Sequence, residues 1–157
     1  MTRQSSGTSQ NNKEVIASKQ DYISAIGRRK SSRALVRLYK SDTVVAGITI
    51  HRGEIFVNNK SALEYFGKDK ELIYKEPLNI TGSQDFSISV RVSGGGKMGQ
   101  LSATVLGIAR ALDKLDREKF HTILKKKGMF TRDPRTRQRR KVGMGGKSRR
   151  RKQSPKR

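Results

Sequence analysis

The chain has 157 residues, and its 36 Lys or Arg against 13 Asp or Glu give a formal net charge of +23. This length accommodates one domain of about 100 residues with extensions, and a hydrophobic content of 32% predicts a small core. The absence of cysteine excludes disulfides and thiolate metal sites, and no apolar run approaches the roughly 20 residues of a membrane-spanning helix.

The N-terminal segment, residues 1–20, is polar and lacks the apolar stretch of a signal peptide. We expect a disordered extension there, and the sequence assigns it no function. A folded domain is predicted over residues 21–128.

Strand patterns dominate the first part of this domain. Residues 22–26 form a short apolar stretch that ends at Gly27, and residues 33–39 carry apolar side chains with the period of a strand. Two β-rich runs, residues 44–50 and 54–57, follow and are separated by a glycine-containing turn.

Two short helices are predicted next. Ser61 is a suitable N-cap for the first, and Gly67 is a suitable stop. The second, from about Asp69 to Lys75, should end before Pro77, because proline disfavours a helical backbone at the residue that precedes it.

The last part of the domain is predicted as a strand and two helices. Residues 86–92 alternate, and four side chains should share one buried face: Phe86, Ile88, Val90 and Val92. The next helix has an apolar stripe that consists of Leu101, Val105, Ile108, Ala109 and Leu112.

Three further residues refine these two helices. Gly107 within the first helix indicates close packing against another backbone. Asp116 is suited to cap the final helix, and Gly128 is suited to end it. The predicted fold class is α+β: a two-layer sandwich of a mixed four-stranded sheet with helices on one face.

The glycine-rich turn before the first of these helices has the G-x-G-x-x-G spacing of dinucleotide-binding proteins, at Gly94, Gly96 and Gly99. A nucleotide site also needs a second parallel strand that ends in an acid about 20 residues later, and that region is predicted to be helical. Residues 146–148 resemble the end of a P-loop, but Lys141 stands where its first glycine belongs.

The same turn nevertheless suits an anion. Backbone N–H groups at a helix N-terminus beside Lys97 favour negative charge, and a nucleic-acid phosphate would supply it. The alternative is a tight turn that needs glycine only for its geometry.

The C-terminal tail, residues 129–157, is expected to be extended, disordered and basic. Residues 125–157 hold 16 Lys or Arg and one acid, and such a segment binds polyanions by releasing their counterions. Membrane binding is disfavoured, because the tail has no Trp, Leu or Ile. The alternative is a merely solvated tail.

A second basic block is expected in a loop after the first strand, at Arg28, Arg29, Lys30 and Arg33. Several cations in one loop can contact one run of phosphates, although an ordinary solvated turn is the alternative. The low aromatic content of 6% favours recognition of backbone and shape, as in folded RNA, over base stacking.

No catalytic constellation is visible. His51 and His121 have no companion at metal-ligand spacing, and the acids are scattered singly. We therefore expect no enzyme activity, no cofactor and no small-molecule substrate.

Six motifs occur in the order and spacing of the small-ribosomal-subunit protein nine family, bacterial type: GRRKSSRALVRL, IFVNNKSALEYFG, EPLNITG, SGGGKMGQ, GIARAL and FTRDPRTRQRRKVG. The resemblance runs from about Tyr22 to Arg157. It implies a left-handed βαβ unit within the α+β fold. It also implies a non-enzymatic structural constituent of the small ribosomal subunit that acts in translation and lies in the head of the subunit. The implied partners are the 3′ major domain of ribosomal RNA, neighbouring head proteins and the peptidyl-site tRNA.

The resemblance assigns roles to individual cations. Lys156 and Arg157 are expected to contact the anticodon stem-loop of the tRNA, although Pro155 replaces a serine that usually precedes them in the family. The remaining candidates are expected to face ribosomal RNA: Arg28, Arg29, Lys30, Arg33, Lys97, Arg132, Arg135, Arg137, Arg139, Arg140, Lys141, Lys147, Arg149, Arg150, Arg151 and Lys152.

The resemblance implies a location in the ribosome of the cytoplasm, with a bacterial ribosome preferred over an organellar one. Two functions of other classes are alternatives to a ribosomal protein. A DNA-compacting protein would bind random duplex and would not sediment with small subunits, whereas a nucleotide-binding enzyme would protect residues 94–99 in the presence of its nucleotide.

Overall fold

The computed structural model describes residues 22–137. Expectations for residues 1–21 and 138–157 lie outside this range. The described residues form seven strands, β1 (Tyr22–Arg29), β2 (Ser32–Tyr39), β3 (Thr43–Val45), β4 (Ile48–Ile50), β5 (Ile55–Val57), β6 (Lys60–Ser61) and β7 (Ser87–Ser93), and four α-helices, α1 (Ala62–Phe66), α2 (Glu71–Thr81), α3 (Lys97–Leu115) and α4 (Arg117–Lys126).

Five of these strands form one mixed sheet in the order β1-β2-β7-β5-β6. The first three are antiparallel neighbours, whereas β5 is parallel to β7, and the connection between those two strands contains α1 and α2. The predicted α+β class is confirmed. The sheet has five strands where four were predicted, because the two-residue β6 also pairs with β5. Strands β3 and β4 form a separate hairpin.

One face of the large sheet forms one side of the hydrophobic core. Strand pairing aligns Ala25, Val36, Val90 and Val57 in a row across four strands, and all four are buried. The helices pack over this face, so the core lies between one layer of strands and one layer of helices. Of the four side chains predicted to share one buried face, Ile88, Val90 and Val92 are confirmed, since none is more than 5% exposed. Phe86 precedes β7 and is only partly buried against the core.

Helix α3 crosses β1 and β2 at a contact made by two glycines. A Cβ atom on Gly27 would lie 1.8 Å from the carbonyl oxygen of Ala103 and 2.6 Å from the nitrogen of Gly107. A Cβ atom on Gly107 would lie 2.6 Å from Cγ2 of Val36 and 3.3 Å from the nitrogen of Gly27. The predicted close packing at Gly107 is confirmed, and its partner is the backbone of β1.

The predicted helix caps are present. The Ser61 hydroxyl accepts a hydrogen bond from the Glu64 N–H at 3.1 Å, and the Asp116 carboxylate accepts one from the Lys119 N–H at 3.1 Å. Gly128 follows the last turn of α4 with φ of +69° and donates its N–H to a carbonyl oxygen of that turn.

The expectation that the second short helix ends before Pro77 is wrong. Helix α2 continues to Thr81 and ends at Gly82, whose left-handed conformation closes it. Pro77 is buried together with Tyr74 and Leu78 on the inner face of the helix. Their burial offsets the backbone hydrogen bond that proline cannot make, and the Thr81 hydroxyl donates to the Pro77 carbonyl at 2.8 Å.

Three boundaries also differ from the expectation. Strand β1 runs past Gly27 to Arg29, because it is paired with β2 to its end. The run at residues 44–50 is a hairpin rather than one strand, since Ala46 and Gly47 both have positive φ. Beyond α4, two residues that the sequence assigns to the tail, Met129 and Phe130, pack against the core.

The Gly27→Ala substitution should destabilise the domain more than Gly107→Ala. At Gly27 the added methyl would meet backbone of α3, which cannot move aside, so we expect a loss of about 3 kcal/mol in the free energy of unfolding, the upper end for overpacking. At Gly107 the methyl would meet Cγ2 of Val36 most closely and the backbone of Gly27 only at 3.3 Å, and alanine favours the helix by about 1 kcal/mol. Urea unfolding of the full-length variants measures both.

Gly96→Ala is the matched control, because a Cβ atom there would have no neighbour within 4 Å. Equal stability of the Gly27→Ala protein and this control would show that the glycine crossing does not limit the packing of α3.

Candidate nucleic-acid interface

The basic block after the first strand lies on a tight hairpin. Arg28 and Arg29 belong to β1, and Arg33 belongs to β2, with only Lys30 and Ser31 between the strands. The expected loop is therefore wrong: these cations are held by strand pairing, with Arg28 directly opposite Arg33. A rigid hairpin fixes the separation of its charges, which a loop would not do.

The face of the sheet that points away from the helices is basic near this hairpin. Strand pairing puts Arg28, Arg33, Arg37 and Arg91 on that face, because their positions alternate with those of the core residues. The guanidinium of Arg37 lies over the ring of Tyr22, 5.1 Å from its centroid. Strands β1, β2, β5 and β7 contain no Asp or Glu. We call these four arginines the basic face.

The glycine turn adjoins the hairpin. Gly94 and Gly95 have φ of +71° and +64°, and Cβ atoms on them would lie 2.5 Å from the Ser31 carbonyl oxygen and 2.1 Å from the Ser32 hydroxyl. Both glycines are thus required by backbone conformation and by packing. The turn that precedes α3 therefore lies against the hairpin that carries the basic block.

Gly96 differs from the other glycines among residues 22–137. Its φ of −110° is open to any residue, and an added Cβ atom would have no neighbour within 4 Å. It is the N-cap of α3, and no side chain caps the N–H groups of that helix end. Lys97, the next residue, is exposed. The helix therefore begins with free backbone donors beside a cation, which is an arrangement that suits an anion.

The root of the tail is attached to the hairpin through Arg29. Its guanidinium lies 2.8 Å from the Asp133 carboxylate and donates a 3.3 Å hydrogen bond to the carbonyl oxygen of Arg135. Asp133 also accepts hydrogen bonds from the backbone N–H and the guanidinium of Arg135. The chain therefore leaves the domain beside the basic block. Asp133 is the only acid in residues 125–157.

The Asp133 carboxyl stays ionised over an extended range of pH. The hydrogen bonds from the guanidinium and the N–H of Arg135, and then the charges of Arg135 and Arg29, hold its pKa well below the usual 3.8. Because the pKa of Asp133 is lower in the folded protein than in the unfolded chain, its ionised form stabilises the folded contact at pH values above the unfolded pKa. This stabilisation is lost only as the pH falls through the pKa of the folded protein.

Comparison with known proteins identifies the family of this chain. The family model described as ribosomal protein S9/S16 matches residues 27–157. The chain belongs to this family. The small ribosomal subunit protein uS9c of Tupiella akineta is 38% identical over 125 residues, which cover 78% of this chain and 81% of that protein. The resemblance noted from the six motifs is thereby confirmed, and the chain is a structural protein of the small ribosomal subunit.

The predicted site residues of this S9-family protein fall into two groups. Eight lie within residues 22–137: Arg28, Arg29, Lys30 and Arg33 on the hairpin, Lys97 at the start of α3, and Arg132, Arg135 and Arg137 at the root of the tail. The other predicted residues lie outside the described part of the chain: Arg139, Arg140, Lys141, Lys147, Arg149, Arg150, Arg151, Lys152, Lys156 and Arg157.

Sequence reasoning missed Arg37 and Arg91. The period-2 alternation of β2 and β7 could have identified them, since both are at positions that oppose the predicted core residues.

Two cations of α3 have a different role, because they cover the outer edge of β1. Arg110 donates to the carbonyl oxygen of Ile26 and Lys114 to that of Ser24, both at 2.9 Å. These bonds satisfy the acceptors of an edge strand. Arg110 and Lys114 are thus parts of the scaffold.

The two histidines have local partners. His121 Nδ1 lies 2.8 Å from the Asp113 carboxylate, and its ring stacks on Phe130 at 5.2 Å. His51 lies 3.3 Å from Asp42 at the surface. Residues 22–137 contain no group of three or more side chains able to hold a metal ion, and no helix in that range is long and apolar enough to cross a bilayer.

Replacing Asp133 by Ala should detach the root of the tail while the domain remains folded, because the carboxylate bonds to Arg29 and Arg135 and not to residues of the hydrophobic core. We expect faster hydrogen exchange of the Arg135 amide, which donates to this carboxylate, and an unchanged melting temperature. In the unmodified protein the Arg135 amide should stay protected from pH 7 to about pH 4, because the Asp133 carboxyl remains ionised.

The matched control is Asp113→Ala, which removes a carboxylate that is bonded to His121 instead. An Arg135 amide that exchanges equally fast in the Asp133→Ala protein and the unmodified protein would contradict the attachment.

Proposed function

We propose that this small-subunit protein binds ribosomal RNA through the basic face, the N-terminus of α3 with Lys97, and the root of the tail. The observation that carries the proposal is the convergence of these three groups at one end of the sheet. They are far apart in the sequence, at residues 28–33, 91–97 and 132–137, yet strand pairing, the glycine turn and the Arg29–Asp133 ion pair bring them together at the hairpin end. Arg37 extends the basic face toward Tyr22.

The chemistry of this surface suits an RNA backbone. Arginine guanidinium groups bind phosphate oxygens in bidentate fashion, and the strands of the sheet supply no acid to oppose them. The rings of Tyr22 and Tyr39 lie at the far end of this face and contact each other, and the Arg37 guanidinium lies over Tyr22. Toward the hairpin the face presents arginines. Such a surface supports recognition of backbone and shape.

The finer placement follows from the resemblance. The ribosomal RNA contacted is the 3′ major domain in the head of the subunit, and the tip of the tail reaches the anticodon stem-loop of the peptidyl-site tRNA. Residues 138–157 could span roughly 65 Å if fully extended, so the tip can act far from the domain. Lys156 and Arg157 are its tRNA-contacting cations.

The place of action is the ribosome. The resemblance in the six motifs favours a bacterial ribosome, whereas the similarity to a uS9c protein favours an organellar one.

Arg91→Glu and Lys97→Glu should each weaken binding to a small-subunit ribosomal RNA fragment by about 1.5–3 kcal/mol, the scale of a hydrogen bond to a charged group. Each should also lower the slope of log affinity against log salt by about 1. Titration at several salt concentrations, with random duplex DNA as competitor, measures both quantities. The competitor separates this function from DNA compaction.

Lys68→Glu is the matched control. It makes the same change of net charge at an exposed residue that lies between α1 and α2, away from the basic face. Equal losses of affinity in the three variants would mean that only net charge matters, and the proposed surface would then be wrong.

Deleting Lys156 and Arg157 should leave binding to ribosomal RNA nearly unchanged, because it removes two of 36 cations. Binding of tRNA in the peptidyl site should weaken by about 1–3 kcal/mol at most, and the effect should shrink as salt rises. The measurement is tRNA dissociation from small subunits that carry the truncated or the intact protein. Equal dissociation rates at low and high salt would remove the tRNA contact from the proposal.

A further inference from the structure

One part of the fold has the opposite charge to the rest. Residues 53–86, which contain β5, β6, α1 and α2, hold four Lys against six Asp or Glu, a net charge of −2. The other described residues, 22–52 and 87–137, hold 19 Lys or Arg against five acids, a net charge of +14. Because β5 and β6 lie at the opposite edge of the sheet from β1, the negative charge is on the far side from the hairpin.

The same part of the fold exposes large apolar side chains. Leu72 is 78% exposed, Ile73 41% and Leu63 39%. Leu72 and Ile73 lie on the outer side of α2, whose inner side is already buried through Tyr74 and Leu78. Several exposed large apolar side chains in one part of a fold are typical of a region that binds another macromolecule.

A groove runs between α2 and the edge of the sheet beside these residues. One cavity of about 310 Å³ is lined by residues 53–56, by Leu63 and by Glu71 and Lys75, among others. A second of about 210 Å³ shares Gly53 and Lys75 with the first and extends to Gln84. The two adjoining cavities provide room for a few side chains of an extended segment.

The charge and the apolar content together identify the occupant. A phosphate backbone would be repelled by the net negative charge and would gain nothing from Leu63 or Leu72, so RNA does not fit. A protein segment with Lys or Arg and at least one large apolar side chain fits both features. Proteins that share an RNA-rich particle carry such basic segments for the same reason as this chain does, and this step depends on the proposed function.

We propose that the surface formed by α2 and the adjoining groove, which we call the acidic face, binds a basic extended segment of another protein of the small subunit. An apolar side chain of that segment packs against Leu63 and Leu72, and its cations lie near Asp69 and Glu76. The protein thus has two faces, a basic one for RNA and an acidic one for a protein neighbour.

The test uses photo-crosslinking in assembled small subunits. A photoreactive amino acid replaces Leu72 in one variant and Met98 in the other; both are large, apolar and more than half exposed, but Met98 lies next to Lys97. The Leu72 probe should crosslink to a peptide with more Lys and Arg than Asp and Glu, identified by mass spectrometry. The Met98 probe should crosslink to RNA.

Crosslinking of the Leu72 probe to RNA, to an acidic or neutral peptide, to a second copy of this chain, or to nothing would overturn the acidic face as proposed. Failure of the Met98 probe to reach RNA would count against the proposed RNA surface instead, and the Leu72 result would still decide the inference.

A charge reversal tests the electrostatic part separately. Glu76→Lys, at an exposed position four residues from Leu72 on α2, should abolish the Leu72 crosslink while affinity for ribosomal RNA stays unchanged. Glu118→Lys makes the same charge change on α4 and should leave the crosslink intact. A crosslink that survives Glu76→Lys would show that charge complementarity does not select the partner.

Discussion

The contact of Gly27 with α3 is the constraint on which the other features depend. Helix α3 approaches β1 so closely that no side chain fits between them, and its inner surface is almost completely buried along the sheet. Because the longest helix of the domain lies on this face, the opposite face of the sheet is left to solvent at the hairpin end. The close crossing therefore decides which side of the sheet can carry the arginines.

The glycine turn connects this packing to the chemistry of the surface. Gly94 and Gly95 allow the turn before α3 to contact Ser31 and Ser32. The free N–H groups at the start of the helix therefore lie close to the hairpin that carries the cations. A side chain at either glycine would push the helix start away from the hairpin and would separate the two groups. Gly96 has no such packing role, and its missing side chain leaves the helix end accessible.

Opposite charges in this protein are used at two different scales. At the root of the tail a single acid, Asp133, forms ion pairs with Arg29 and Arg135. These pairs attach the root to the domain, although the cations of this segment repel one another. Across the whole domain, the acids gathered in residues 53–86 make one side suitable for a basic protein, while the hairpin side suits phosphate. A chain with uniformly distributed charge would present the same surface to RNA and to its protein neighbours.

The sequence by itself determined the elements whose signals are local. Several features depend only on residues within one turn or one strand: the alternation in β2 and β7, the caps at Ser61 and Asp116, and the closing glycine at Gly128. The basic character of the tail likewise depends only on its own residues. The extension of α2 through Pro77 could not be predicted, because burial with Tyr74 and Leu78 outweighs the local preference of proline. The contact of the glycine turn with the hairpin, and the ion pair of Arg29 with Asp133, were decided only by the tertiary structure. These contacts join residues that are tens of positions apart, and no local propensity specifies which strand lies beside which or where a helix end comes to rest.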